Sequence, residues 1–547
     1  MRSFPVLIVG GGPVGLTLAL ALSRHKVRSM LINDEIEPTI HPTLDAVNTR
    51  SMEIFRQLGL VERIREAGSP QTANHYAAIA ATAAGPFYSV LSDGHLCYLS
   101  AAAGKVAITA CIDGTLPLEP MQRIDQKHLD AVLLKAALED ENIEVHYGWS
   151  LFGFEQDDAG VTARIHAVTG GASEQVRCDY MVGCDGSNSR VRNFLNIDYQ
   201  GTRDLLGEQF IIHFRSDEVA NLYPSHEPYW HTWICRPGYL GLLVSPDACR
   251  NDFVLYRPFP PGNGESVEAI VEAALGVRCK VEIVQSGPWR PQFLIATSFG
   301  YGRIFIAGDA THQYMPIGGL GMNTGLAEAH NLAWKLAAAV SGWGGPYLLQ
   351  SYETERLAVA RLNRDHAKKC AAASFEATFC KTDRMLDDSD EGRAAQDAVA
   401  RDFKAKTSRL YESLGIEIGY SYHSRVLVEE AAADSKNDTP PYRPTTQPGA
   451  RLPSAFRADG TAVFDQLDPS GFTLLAVGAS AEECMPMLAA ARNARVPLSV
   501  LELGEAYLQL LYEKRFVLVR PDQHVVWRGE TIPSACQHII ATVSGAA

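Results

Sequence analysis

Two hydrophobic periods alternate along this chain, and together they lay out its elements. Residues 5–9 form a continuous apolar run of strand length, and after a glycine cluster the pattern changes to a helix ending near residue 23. A second strand is expected at 29–32, and a helix runs through about 139 with leucines and alanines on one face. Strands at 143–147 and 160–167 show the alternation of half-exposed antiparallel sheet, and an apolar strand ends at Gly183. Further strand signals lie at 209–215, 231–235, 241–245 and 252–257. A buried run at 304–307 leads through a glycine-rich turn into a helix from about 323 to 336. Long helices are expected beyond Tyr352 and from about 392 to 414. Residues 435–453, rich in Pro, Thr and Asn, read as a linker. Beyond them come strands at 471–477 and 498–501, a helix at 481–494 between them, and a closing hairpin, FVLVRPDQHVVWRG. Residues 68–118 are rich in Ala, Gly and Ser and carry strand fragments but no periodic helix. Strands alternating with helices predict an α/β fold with a parallel sheet.

The punctuation between elements carries the first chemistry. Gly10-Gly11-Gly12-Pro13-Val14-Gly15 sits between a strand and a helix, the context that G-x-G-x-x-G needs to bind a dinucleotide. The first glycine makes the turn, the second admits a pyrophosphate, and the third lets helix pack on strand. The next strand should end in an acidic residue for the adenosine ribose; that place falls on Asn33, with Asp34 beside it, and either can make the contact. Asp309 stands at the end of the 304–307 strand, ahead of Gly318, Gly319 and Gly321 and a helix start whose amides favour an electron-rich group. Asp185-Gly186 likewise ends a buried strand.

Length then predicts several domains, since 547 residues exceed a single ordinary core. The net charge of -14, with no long basic cluster, argues against nucleic acid. No run beyond the glycine-punctuated N-terminus is long enough to span a bilayer, so no membrane partner is expected. The eleven cysteines are scattered without a C-x-x-C pair, which reads as thiols in a reducing cytoplasm and as no metal site.

GRIFIAGDATHQYMPIGGLGMNTGLAEAHNLAWKL, together with the G-x-G-x-x-G turn and the YMVGCDGSNSRVR segment, resembles the single-component FAD-dependent aromatic hydroxylases, the family of phenol hydroxylase and p-hydroxybenzoate hydroxylase. HPTLDAVNTRSMEIFRQLGL is similar to the phenol hydroxylase branch, with Asp45-Ala46 ahead of Arg50-Ser51-Met52-Glu53. The resemblance implies that Asp309 binds the ribityl chain of FAD and that Pro316, Gly319, Leu320, Gly321, Met322 and Asn323 lie beside the isoalloxazine. It also implies that Arg50 runs along the ribityl and pyrophosphate, that Arg123 and Gln126 hold FAD, and that Asp185 and Gly186 lie near the pyrophosphate and the path of the nicotinamide cofactor. Asp45 would reach the substrate's hydroxyl. Competing accounts are a surface salt bridge for Arg50, a helix N-cap for Asp45 and a solvated helix cap for Arg123 and Gln126. Thr43 stands where many relatives carry arginine; Met315 and Glu328 replace an expected Pro and Asp and are taken to carry no essential chemistry.

The implied architecture is a Rossmann-like FAD-binding domain in three parts (1–74, 119–198, 293–350), a β-sheet substrate domain in two (75–118, 199–292), a helical linker region (351–434) and a thioredoxin-like C-terminal domain (445–547). Without C-x-x-C that last domain is structural. The aromatic-rich second part of the substrate domain offers His213, Trp230 and Tyr239 as substrate contacts, against sheet-core packing as the plain alternative. No second strand-linked G-x-G-x-x-G occurs, so NADPH or NADH is expected as a transient reductant. The implied activity is hydroxylation of a phenolic or related aromatic compound with O2 through a flavin C4a-hydroperoxide, ortho to an existing hydroxyl; the alternatives are oxidation of a larger polycyclic natural product or antibiotic, and a flavin oxidase or redox protein without hydroxylation. Relatives pack the linker helices against another subunit, so a homodimer is compatible with this reading.

Overall fold

The computed structural model describes residues 1–37, 45–247, 251–262, 264–379, 383–428 and 441–547. Thr43 and residues 435–440 of the expected linker lie outside the described residues. The chain is organised about a sheet in which Arg2–Val9 is central, flanked on one side by Ser29–Asn33 and Ile143–Tyr147, and on the other by Ser173–Gly183 and Ile304–Ile306, all parallel. Trp149–Asp157 and Gly160–Ala167 add an antiparallel hairpin to Ser173–Gly183. Residues 143–147 are therefore a parallel strand, not the antiparallel one expected; only Ile143 is buried, and this half-exposure at the edge of the sheet resembles that of an antiparallel strand. Two helices of this unit, Pro13–Arg24 and Leu320–Val340, cross closely: a Cβ on Gly325 would lie 2.7 Å from Val14.

The second sheet has seven strands; Ala77–Ala80 from the 68–118 excursion pairs there with His231–Arg236, and Phe87–Leu91 pairs with Ala77–Ala80 at the edge. That excursion also contains a helix, Ala101–Ala110, where none was expected. Ser100 caps it, and only Ala101, Gly104 and Ile108 are buried, so its apolar stripe is too thin to show as a period.

Helices Pro346–Phe379 and Asp390–Tyr411 lead to a four-stranded C-terminal sheet, with Phe472–Val477 parallel to Leu498–Leu503 and antiparallel to Phe516–Val519. The turn of its hairpin inserts into the rest of the molecule. There Arg520 donates to both oxygens of Glu355 at 2.8 and 2.9 Å and to Asp522, while Lys335 reaches Glu355 at 2.7 Å, all with side chains at most 2% exposed. Among the described residues no helix is long and apolar enough to cross a membrane.

Candidate active site

Strand register brings the glycine turns together. Val9 pairs with Gly183 and with Ile32, and Gly183 pairs with Ile306, so the turns after these strands open on one edge of the sheet, at the carboxyl ends of its parallel strands. A cleft of about 1030 Å³ starts there and continues to the second sheet.

At the near end the backbone is shaped by close approach. Gly10 has φ +113°, and a Cβ on it would lie 2.2 Å from the Cys184 oxygen; a Cβ on Gly15 would lie 2.0 Å from the Gly10 oxygen. Gly12, Gly186, Gly319 and Gly321 are different, because a Cβ there meets nothing within 4 Å. The helices starting after Gly12 and Gly319 have no side-chain cap, so their first amides open into the cleft, whereas Asn48, Asp125, Ser189 and Ser266 cap their own helices. Open glycines and uncapped helix starts along one groove fit a dinucleotide cofactor such as FAD.

The expected residues divide into those on the cleft and those elsewhere. Gly10, Gly12, Pro13, Val14, Asn33, Asp34, Gln126, Asp185, Gly186, Asp309, Pro316, Gly319, Gly321, Met322 and Asn323 line it, as do Asp45 and Trp230. Asn33 Oδ1 accepts from Gly11 N at 3.1 Å, and Asp34 lies 3.9 Å from Arg190. Asp185 accepts from Ser189 Oγ and from the Arg190 and Val191 amides, so its carboxylate fastens its own turn. Asp309 lines the cleft with its side chain exposed there, and desolvation by the protein around it raises its pKa. Its turn is fixed from beneath by fully buried Glu328, which accepts from Gly308 N at 2.8 Å and Thr311 Oγ1 at 3.0 Å; the departure from Asp at 328 thus carries a structural duty.

Five expectations fail by geometry. Arg50 is neither on the cleft nor on the surface: it is buried, donating to Gln523 at 2.6 Å and the Asp522 carbonyl at 2.8 Å of the C-terminal hairpin, and to Glu53. Arg123 is buried behind the cleft on the carbonyls of Asn74 and Ser245. Leu320 packs with Phe293 and Met315, whereas Gly15 does what the sequence assigned it, holding its helix tightly against the Gly10 turn and Cys184. In the second sheet Leu240, Leu242 and Val244 face the cleft, so Tyr239 falls on the opposite face, bonded to the Ile270 carbonyl. His213 shares parity with cleft-lining Ile211 but lies farther along its strand, where Asp252 holds it at 2.9 Å.

His231, Trp233 and Tyr256 of the aromatic-rich stretch, where the sequence offers a cleft lining without singling them out, line the far end, and sequence reasoning missed Trp289 of the second sheet and Phe375 and Tyr411 from the helical region, which line it too. Period-two alternation from Trp233 and Val244 could have found the sheet residues; nothing local marks Phe375 or Tyr411. Also missed was Asp130, buried at the near end, whose pKa burial pushes up to about 7. Asp45 joins the two ends. Trp230 Nε1 donates to its Oδ2 at 2.8 Å and His231 Nε2 lies 3.0 Å from the same oxygen. Burial opposes its charge, but His231, Trp230 and the Arg123 charge outweigh this and hold its pKa below the ordinary carboxylate value. It is not a helix cap: Asn48 caps Thr49–Gln57. Next to it, Asn323 donates to the Ala46 carbonyl and accepts from Asn48 N, tying this strand to the start of the Leu320–Val340 helix.

Comparison with known proteins agrees with this layout. Residues 3–367 match the FAD binding domain family and residues 445–547 the aromatic-ring hydroxylase C-terminal family. The chain is 32% identical to an FAD-dependent monooxygenase of Emericella nidulans, over 99% of this chain and 90% of that protein. It is 30% identical to a 4-methyl-5-nitrocatechol 5-monooxygenase of a Burkholderia species, over 96% and 94%. The solved structure of the rebeccamycin biosynthetic enzyme RebC with reduced flavin superposes with a TM-score of 0.87 at 29% identity, covering 100% of this chain and 99% of that one. A dinucleotide cleft on the first sheet, an aromatic chamber on the second and a matching C-terminal domain place this chain among the FAD-dependent aromatic-ring hydroxylases, the family to which it belongs.

Proposed function

We propose that this protein uses NAD(P)H and O2 to hydroxylate a phenolic aromatic compound next to its existing hydroxyl. The observation that carries this reading is Asp45: an ionised carboxylate placed where the cofactor groove meets the aromatic chamber, with both donors on Oδ2 and, among the described residues, none on Oδ1. Bound FAD, once reduced, supplies activated oxygen, and the protein's own residues supply placement and charge. Asp45 Oδ1 accepts the substrate hydroxyl. A phenol's reference pKa is about 10, so this carboxylate draws the proton toward itself without fully removing it, and the extra electron density makes the ring carbons beside the hydroxyl more nucleophilic. The uncapped amides after Gly319 stabilise negative charge on the reduced flavin. Trp230, Trp233, Tyr256, Trp289 and Phe375 present ring faces for stacking and keep water out.

A fused-ring natural product is the second reading, favoured by this breadth of aromatic lining. The test is substrate-stimulated NAD(P)H oxidation across phenols, nitrocatechols and polycyclic phenols under labelled O2. One labelled atom in the product is expected, and Asp45→Asn should slow hydroxylation at least tenfold; hydroxylation by that variant at the wild-type rate would remove Asp45 from the mechanism.

A further inference from the structure

We propose that His231 and Tyr411 are positioning residues which, with Asp45, form a hydrogen-bonded triad that keeps the carboxylate ionised, aimed into the cleft and able only to accept. The proposal rests on the reading of Asp45 as the acceptor of the substrate hydroxyl. Its parts come from distant pieces of chain: Asp45 from the first unit, His231 from the strand His231–Arg236, and Tyr411 from the last position of the helix Asp390–Tyr411.

The polarity of the chain is fixed at its carboxylate end, because an ionised Asp45 can only accept. Trp233 Nε1 donates to the Tyr411 oxygen at 3.1 Å. Facing that carboxylate, His231 carries its imidazole hydrogen on Nε2, and its Nδ1, as the acceptor, takes the Tyr411 hydroxyl hydrogen from 3.0 Å away. Nε2 donates to Asp45 Oδ2 at 3.0 Å, beside the donation from Trp230 Nε1. The imidazole cannot rotate away, since it stacks on the Trp230 ring at 4.4 Å, and Tyr411 and Trp233 are buried.

Three consequences follow for the reaction. Among the described residues both donors occupy Oδ2, so Oδ1 is the oxygen offered to the substrate. The groups facing the carboxylate are His231, Arg123, Tyr256 and Tyr411, and the two buried phenols have raised pKa values and stay neutral. An oxygen that can only accept discriminates between ligands. It favours a ring bearing a hydroxyl or amino hydrogen and disfavours the matching methyl ether, which leaves the carboxylate unpaired, or a carboxylate, which repels it.

The test uses the FAD-loaded full chain and the phenol from the substrate panel that gives the highest turnover. His231→Leu removes the donor, His231→Gln keeps an N–H near the position of Nε2, and Tyr411→Phe releases the imidazole tautomer. The pH profile of kcat/KM is recorded for each, with 15N spectra of labelled histidine in which the loss of a signal in His231→Gln assigns residue 231. In the wild type the Nε2–H tautomer is expected. In Tyr411→Phe the Nδ1 resonance should move, and in His231→Leu the acid limb should rise by about one pH unit, giving roughly tenfold lower kcat/KM on the acid side. His231→Gln should restore the limb. An unmoved limb in His231→Leu, or an Nδ1–H tautomer in the wild type, overturns the triad. Should His231→Leu lose FAD or unfold, Tyr411→Phe decides: an unmoved Nδ1 resonance together with an unmoved limb overturns it. Asp45→Asn separates the two levels. If it hydroxylates normally, the reading of Asp45 itself fails; if it is slow while the His231→Leu limb stays put, the triad alone fails.

Discussion

Gly12→Val should abolish tight FAD binding while leaving the empty protein folded. Gly12 has φ -79° and ψ -175°, extended backbone open to any residue, and a Cβ there meets nothing within 4 Å. Replacing the N-cap glycine loses a modest capping preference and gains some restriction of the unfolded chain, so the apo-protein should change by no more than about 1 kcal/mol. The cofactor meets the full effect. Pro13 has no N–H, and the first helical bond is Leu16 N to Gly12 O, which leaves the Val14 and Gly15 amides for the pyrophosphate. A branched side chain holding the phosphates away from both forfeits two hydrogen bonds to a charged group, about 1.5–3 kcal/mol each. The sum of about 3–6 kcal/mol corresponds to roughly two to four decades in Kd. Flavin fluorescence titration of apo-protein gives the affinity, and thermal unfolding of the same sample gives the stability. Gly15→Ala is the contrasting variant: its Cβ would lie 2.0 Å from the Gly10 oxygen, so it should destabilise the apo-protein itself. Gly12→Val binding FAD within about threefold of wild type would show that the pyrophosphate does not rest on this helix start.

Two further predictions concern buried charge. Glu355 accepts from Arg520, Lys335, Asn331 and Ser424, and its neighbours Arg520 and Lys335 hold its pKa far below the ordinary value against the opposing effect of burial; Glu355→Gln should cost about 3–5 kcal/mol, read by denaturant unfolding, and a loss under about 1 kcal/mol would show that the C-terminal hairpin is not held by this cluster. Asp130, with a folded pKa of about 7 above a reference of 3.8, keeps a proton that the unfolded chain gives up, so apo-protein stability should fall by up to about 1.4 kcal/mol per pH unit as pH rises from roughly 4 to 7. Asp130→Asn should flatten that slope and stabilise the protein above pH 7, and an unchanged slope in stepped-pH unfolding would refute the assignment.

The sequence by itself determined the glycine turns, the strands that end at them and the order of the units, because these depend on short-range constraints: a turn that tolerates no Cβ at Gly10, a strand-length apolar run, a helix starting within a few residues. Asp45 was legible as a candidate only through the resemblance, which matches Asp45-Ala46 ahead of Arg50-Ser51-Met52-Glu53. Tertiary structure alone decided what each polar group does. Arg50 finds its partner 473 residues away in the C-terminal hairpin, a pairing that no local pattern encodes. Tyr239 lost its place in the chamber to strand parity, since a shift of one residue reverses the face a side chain occupies. Tyr411, at the end of a helix that reads as a connector, enters the site because that helix packs across the second sheet, and its phenol fixes a histidine proton by a hydrogen bond between groups 180 residues apart. Periodicity records which face of an element is buried, but the identity of the group it meets is set only when the elements pack together.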